Sequence, residues 1–193
     1  MDALRVAVLR EVLAGSEWLR ATRDFGGTLR AAVRRGSGGL LLVGTAEYEP
    51  WHLAAHLDEE AAWSGLPELA PTLVRHRVPP GAPRHLAVDV ARLTAAGRGE
   101  TLLVVAPGPP APDLLERLAD ARRAGATLLA LDASPDATDL HSLTHTALTI
   151  APTDHPLTFD LAQHLISTTP TTPPPPTRLT DVTTHFTTPP PRW

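Results

Sequence analysis

The sequence predicts an α/β fold with a doubly wound parallel sheet of about five strands flanked by helices, and three observations indicate it. Short apolar runs such as GLLLVG and TLLVVA have the length and composition of buried parallel strands. Segments with helical periodicity separate these runs. The chain of 193 residues suffices for about one ordinary domain with a real core.

Two helices are predicted before the first strand, over residues 2–14 and 16–35, with Ser16 as a candidate N-cap. Both carry apolar stripes that exceed what one sheet face obviously requires. These stripes either pack inside the chain or form a subunit interface. Their members are Leu4, Val8, Leu9, Val12, Trp18, Leu19, Leu29 and Val33.

Strands and helices alternate along the rest of the ordered part. Such alternation indicates a flavodoxin-like sheet covered on both faces. Pro50 suits the first turn of a helix, and Gly125 suits a helix end. In chain order we predict strand 39–44, helix 50–63, strand 71–78, helix 84–97, strand 101–106, helix 113–125, strand 127–132, a short turn of helix, strand 147–150 and helix 155–167.

The composition changes near Ser167, and residues 168–193 are almost entirely threonine and proline. Such a segment cannot bury enough surface to offset its ordering entropy, so a disordered tail is predicted. It is either a solvated extension or a docking arm, in which proline runs meet an aromatic groove or LTDVTTHF adds a strand to a partner's sheet. The predicted domains are therefore 1–36, 37–167 and 168–193.

Composition also excludes several classes of function. The chain has no cysteine, which excludes disulfides and thiol nucleophiles, and all 17 basic residues are arginine. A net charge of −4 disfavours nucleic acid as a partner. No apolar run is long enough to cross a bilayer, and the first residues lack the continuous apolar centre of a secretory signal. We expect a soluble, cytoplasmic protein.

Two segments resemble a known family. The first is LRAAVRRGSGGLLLVGTAEYEPWHLAAHLDEE, residues 29–60, and the second runs from GETLLVVAPGPPAP to LTHTALTIA, residues 99–151. Together they resemble the two halves of a sugar isomerase (SIS) domain, and residues 29–60 are most similar to the phosphoheptose isomerase branch. The resemblance covers most of residues 29–165. It implies association through helices flanking the sheet, as a homodimer or tetramer, and assigns residues 1–36 to oligomerisation.

The resemblance also locates a ligand site at the turns after two strands, where members of the family hold a sugar phosphate with hydroxyls and amides. The matching positions here are Gly44, Thr45, Glu47, Ala106, Gly108 and Ala111. Only Thr45 offers a hydroxyl, and Glu47 and Glu49 would repel a phosphate. Four of the seven residues in APGPPAP are prolines, which lack an amide hydrogen.

A candidate metal site is formed by histidines. His52 and His56 lie at i and i+4 on one predicted helix, where two imidazoles can share a metal. In the resembled isomerases the position of His52 is a metal ligand and that of His56 is a glutamate, while a later helix supplies glutamine and histidine. Gln163 and His164 are the nearest equivalents. The set is either a zinc site of His52, His56 and His164 or a polar helix face.

Two hypotheses follow. The first is a non-catalytic SIS-like module without a cofactor, acting as an oligomeric scaffold or regulator, with an altered or lost phosphosugar pocket and a tail that binds a protein partner. The alternative is a divergent phosphosugar isomerase or metal-dependent enzyme using His52 and His56. That enzyme needs phosphate donors, for which Thr45 and Arg84 are the nearby candidates. The loop chemistry favours the first hypothesis.

Overall fold

The strands confirm the predicted class. The computed structural model describes residues 17–134, 136–150 and 158–167. In this part of the chain the strands are β1 (Gly39–Val43), β2 (Pro71–Val74), β3 (Glu100–Ala106), β4 (Thr127–Asp132) and β5 (Thr146–Thr149). They form a five-stranded, fully parallel sheet in the order β2-β1-β3-β4-β5. This is the strand order of a flavodoxin-like, doubly wound α/β fold.

Helices cover both faces of the sheet. Those of the described residues are α1 (Glu17–Arg35), α2 (Trp51–Ser64), α3 (Pro112–Arg123), α4 (Thr138–Leu143) and α5 (Phe159–Ser167). α1, α2 and α5 share one core with the sheet, and α3 and α4 share the other. In the described ranges, no helix combines the length and apolar character that a membrane span requires.

Strand β1 shows why its residues are all apolar. Leu40 and Leu42 belong to the core under α1, α2 and α5, whereas Leu41 and Val43 belong to the core under α3 and α4. Successive side chains of a strand point to opposite faces, so a strand covered on both sides must be apolar at every position. Burying each of these side chains contributes about 1.5–3 kcal/mol.

A buried arginine ties three helices together on the first face. Arg30 of α1 donates from Nη2 to Glu60 Oε1 of α2 at 3.3 Å and to the Ser167 carbonyl oxygen of α5 at 2.9 Å. Burial lowers the pKa of Arg30, and the Glu60 carboxylate opposes that shift. A cation at the carboxyl end of α5 also complements the helix dipole. The contact fixes α5 against α2, which positions the side chains described below.

The apolar stripe of α1 is used inside the chain. Leu19, Leu29 and Val33 are buried in the core, and Trp18 packs against it. The sequence allowed either packing inside the chain or a subunit interface, and the stripe of this helix packs inside the chain. The predicted helix 2–14, the Ser16 cap and the tail 168–193 lie outside the described residues.

The region between β2 and β3 departs from the prediction. The strand expected over 71–78 ends at Val74, and the helix expected over 84–97 is replaced by two 3₁₀ helices, Arg84–Leu86 and Val90–Ala95. The Asp89 side chain accepts a hydrogen bond from the Ala91 amide, so it starts a new turn where a continuous helix would have passed through.

Candidate ligand-binding cleft

A cleft of about 460 Å³ opens at the carboxyl edge of the sheet, between the ends of β1 and β3. β2 lies on one side of β1 and β3 on the other, so the strand order reverses at this point. Open α/β sheets bind their ligands at such a switch point. The cleft is lined by Thr45, Glu47, Tyr48, Pro107, Gly108, Pro109 and Ala111.

The loop after β1 uses its own amides. The Thr45 amide donates to the Tyr48 carbonyl oxygen at 2.9 Å, and the Tyr48 amide donates to the Thr45 carbonyl oxygen at 3.3 Å. Gly44 makes this turn feasible, because a Cβ at that position would overlap the Tyr48 carbonyl oxygen and lie 2.8 Å from Pro50 Cδ. Two amides that could have faced a phosphate are therefore committed within the loop.

The acidic residues of this loop have different surroundings. Glu47 is exposed and lines the cleft. Glu49 is paired with Arg75, whose Nη2 lies 3.1 Å from Glu49 Oε2, and the Glu49 carboxylate also accepts from Trp51 Nε1 at 2.8 Å. The Arg75 guanidinium also stacks on the Trp51 ring, 4.7 Å from its centroid. Arg75 is thus engaged by Glu49 and Trp51, and Glu47 carries the negative charge at the cleft.

The loop after β3 is poor in donors. Pro107 and Pro109 line the cleft and have no amide hydrogen, and Pro112 begins α3. The first turn of α3 also carries Asp113 rather than a cation. Proline fixes the backbone torsion φ, so this loop is a stiff, apolar wall.

Tyr48 connects the cleft to α5. Gln163 Nε2 donates to the Tyr48 hydroxyl at 2.9 Å, and the ring packs edge-on against Phe159 with centroids 6.1 Å apart. Burial raises the pKa of Tyr48; the hydrogen bond to Gln163 opposes this shift, and the Asp160 charge adds to it. The tyrosine therefore presents a neutral ring to the cleft at physiological pH.

The three predicted metal-ligating histidines come together where α5 meets α2. His56 Nε2 lies 3.1 Å from His52 Nε2 and 3.2 Å from His164 Nδ1, and adjacent rings meet edge to face. Burial lowers the pKa of His56, the neighbouring His52 lowers it further, and Glu59 opposes both. A neutral imidazole can accept a hydrogen bond or ligate a metal.

The histidines form a row, with His56 in the middle. In the part of the chain that the structure describes, no group of three or more His, Cys, Asp or Glu side chains has the geometry to hold a metal. A tetrahedral zinc needs lone pairs that converge on one point about 2.0–2.1 Å from each nitrogen. As placed, the rings contact each other instead, and zinc binding would require them to rotate.

Four of the six predicted ligand-site residues line the cleft: Thr45, Glu47, Gly108 and Ala111. Gly44 and Ala106 do not line it. They are buried at the strand ends, where the Gly44 carbonyl oxygen lies 3.1 Å from His76 Nε2 and the Ala106 carbonyl accepts from the Ala133 amide. Arg84, the candidate phosphate donor, is exposed in a 3₁₀ helix and does not line the cleft.

Sequence reasoning missed Tyr48 as a lining residue, although it is the single tyrosine of the chain and stands between two glutamates. It also missed a polar cluster at the same sheet edge. Asp132 Oδ2 lies 2.9 Å from His141 Nε2 and accepts from Thr149 Oγ1 at 3.3 Å, while Oδ1 accepts from the Ser134 amide at 3.1 Å. The available signal was an acid that ends an otherwise apolar strand, TLLALD.

Comparison with known proteins finds likeness in structure without a match in sequence. No protein-family model matches the chain, and no curated protein sequence does. Similar solved structures include a candidate sugar-binding protein of Salmonella typhimurium LT2, with 17% identity over 84% of this chain and a TM-score of 0.49. A candidate phosphosugar isomerase of the same organism has 12% identity over 79% and a TM-score of 0.49.

A third similar structure is the Vibrio vulnificus NanR protein complexed with ManNAc-6P, with 12% identity over 86% of this chain and a TM-score of 0.48. The matches cover 43%, 43% and 61% of the three chains, so this chain spans only part of each. The fold assignment rests on the strand order given above.

Proposed function

We propose that this chain is a non-catalytic module of the SIS type, related to the phosphoheptose isomerase branch, which acts as an oligomeric scaffold or regulator and no longer takes a sugar phosphate. The family assignment is supported by the resemblance of residues 29–165. The flavodoxin-like strand order and a cleft at the switch point agree with it.

The observation that carries the proposal is the loss of phosphate donors from the cleft. Thr45 and Tyr48 use their amides on each other, and two lining residues of the second loop are prolines. No arginine or histidine belongs to the described lining residues, while Glu47 does. A phosphate dianion entering here would lose hydration and meet a like charge, with few hydrogen-bond donors to compensate.

The cleft is also poorly equipped for isomerisation. Proton transfer next to a carbonyl uses a group whose pKa environment has been tuned by burial or by neighbouring charges. Glu47 is exposed to solvent, and the Tyr48 hydroxyl is bonded to Gln163 with its pKa raised. This supports a binding or structural role over a catalytic one.

Oligomerisation and partner binding complete the proposal. Because the stripe of α1 is buried in its own core, a subunit contact has to use other surfaces. Light scattering on the purified chain should give the mass of a dimer or tetramer. A monomer at all accessible concentrations would contradict the scaffold part. Removal of residues 168–193 should abolish partner capture without changing the number of subunits in the oligomer.

Thermal unfolding in the presence of hexose and heptose phosphates, and of the same sugars without phosphate, tests the lost site. A ligand at about 100 times its Kd stabilises a fold by about 2.7 kcal/mol, which shifts the Tm by several degrees. We expect no Tm shift with any sugar phosphate at about 10 mM. This concentration is about 100 times the Kd of a ligand that binds at 0.1 mM. A reproducible shift that Glu47→Arg enlarges would contradict the proposal.

A second candidate function is metal binding, favoured by the contact of His52, His56 and His164. Zn²⁺ should then raise the Tm of the natural chain, and His56→Ala should remove most of that rise, because His56 lies between the other two rings. His85→Ala is the matched control, since His85 is exposed in another part of the fold. An equal Zn²⁺ shift in all three proteins would exclude this site.

A further inference from the structure

The cleft combines one carboxylate with an apolar, donor-poor wall. We propose that it binds a protonated amine carried on a small apolar body, with the Glu47 carboxylate as the counter-ion. This inference rests on the proposed function, in which the cleft is retained but no longer suits a sugar phosphate. It names the class of ligand that the altered cleft would take.

Charge is the first argument. Glu47 is the formal charge among the described lining residues. The nearby basic side chains are engaged elsewhere: Arg75 pairs with Glu49, and His76 Nε2 lies 3.1 Å from the Gly44 carbonyl oxygen. Glu47 therefore places a negative charge at the cleft, which attracts a cation and repels an anion.

Hydrogen-bonding capacity is the second argument. The four prolines of the segment 106–112 remove amide donors but keep their carbonyl acceptors. The turn between Thr45 and Tyr48 likewise commits two amides. A site with a carboxylate acceptor and few free amide donors suits an ammonium group, which has three donors and no acceptor.

Shape is the third argument. Pro107, Pro109, Ala111 and the ring of Tyr48 present apolar surface, and the volume of about 460 Å³ is within the range of sites for small organic ligands. Stiff prolines and the internally bonded turn keep this surface in place before binding, which reduces the ordering cost of association. An aromatic ring would pack against this apolar wall, and an amine joined to the ring by a short chain would lie near Glu47.

Three probes with nearly the same body and different charge test the proposal: 2-phenylethylamine, 2-phenylethanol and 3-phenylpropanoate. Each is titrated into the full chain at pH 7 and low salt, and binding is followed by NMR at the amides of Thr45, Glu47, Tyr48 and Gly108. We expect the amine to bind about tenfold more tightly than the alcohol, and the anion to bind most weakly.

The variant Glu47→Gln keeps the size of the side chain and removes its charge. We expect it to weaken the amine about tenfold while changing the alcohol less than twofold. Glu68→Gln is the matched control, because it makes the same change in net charge in the exposed turn just before β2, at the amino edge of the sheet. It should leave all three affinities within twofold of the natural chain.

The outcomes separate this inference from the proposed function. Equal affinities for amine and alcohol, no binding of any probe at 10 mM (a fragment-scale ceiling for ligands of this size), or no effect of Glu47→Gln would each overturn the inference and leave the loss of phosphosugar binding intact. Binding of a sugar phosphate at the same amides would overturn the proposed function itself.

Discussion

Two places at the carboxyl edge of the same sheet use polar residues in opposite ways. At the ends of β1 and β3 an exposed carboxylate, Glu47, borders an open cleft. At the ends of β4 and β5 the carboxylate of Asp132 is 1% exposed and is surrounded by His141, Thr149 and the Ser134 amide. The first leaves room for a ligand, and the second is filled by the chain itself.

The strand order explains the difference. Between β1 and β3 the order reverses, so the loops after these strands lead to helices on opposite faces and leave a crevice between them. β3, β4 and β5 are consecutive in both sequence and space, and α4 packs over the ends of β4 and β5 with His141 against Asp132. A polar residue at a strand end is thus a ligand-site candidate mainly where the order reverses.

The largest expected effect comes from the closed cluster. Asp132→Ala removes the acceptor shared by His141, Thr149 and Ser134, and loss of a buried, charged acceptor should cost about 3 kcal/mol of unfolding free energy. Urea denaturation measures it. Asp58→Ala, on the exposed side of α2, should cost less than 0.5 kcal/mol, the usual limit for surface changes. A loss at Asp132 no larger than that at Asp58 would show that the cluster is not structural.

Two glycines in the loops after β1 and β3 give the next effect. Gly44→Ala would force its Cβ against the Tyr48 carbonyl oxygen and Pro50, so we expect a loss of about 1–3 kcal/mol, as in overpacked cores. Gly108→Ala meets no heavy atom within 4 Å and should change stability by less than 0.5 kcal/mol, as surface changes do. Equal unfolding free energies for the two variants would contradict the close approach of Tyr48 to Gly44.

The sequence predicted the strands and most of the helices because their signals are local. A continuous apolar run such as TLLVVA and a glycine after a helix act over a few residues. The chemistry of the second loop was readable for the same reason, since a proline lacks its amide hydrogen in any fold. The sequence alone therefore predicted that Glu47 and the prolines do not suit a phosphate site.

What the sequence did not predict depends on contacts between distant residues. The Asp132 cluster joins a strand end, a helix and the next strand. His52, His56 and His164 were named together through the family resemblance, but their edge-to-face row depends on α5 lying against α2. The segment 84–97 has helical composition. However, Asp89 forms a parallel backbone β-bridge with Arg75 beside β2, and this tertiary contact overrides the local helical propensity.

The smallest expected effect concerns the ionisation of Tyr48. It tests whether the cleft is closed to solvent where the Tyr48 hydroxyl meets Gln163. Burial raises the pKa of Tyr48, so the neutral phenol is favoured in the fold. The chain has one tyrosine and neither lysine nor cysteine, so absorbance at alkaline pH reports this residue alone. The folded chain should titrate above the value of about 10 that the urea-unfolded chain gives.

The same shift predicts a pH dependence of stability. The stabilisation is fully present below the unfolded pKa of about 10 and is lost as pH rises through the folded value. Tyr48→Phe cannot ionise, so its unfolding free energy should change less between pH 9 and 11, although it loses the hydrogen bond to Gln163 at every pH. Coincident titrations of folded and unfolded chains would mean that water reaches the Tyr48 hydroxyl freely, and that the cleft extends past Tyr48 towards Gln163.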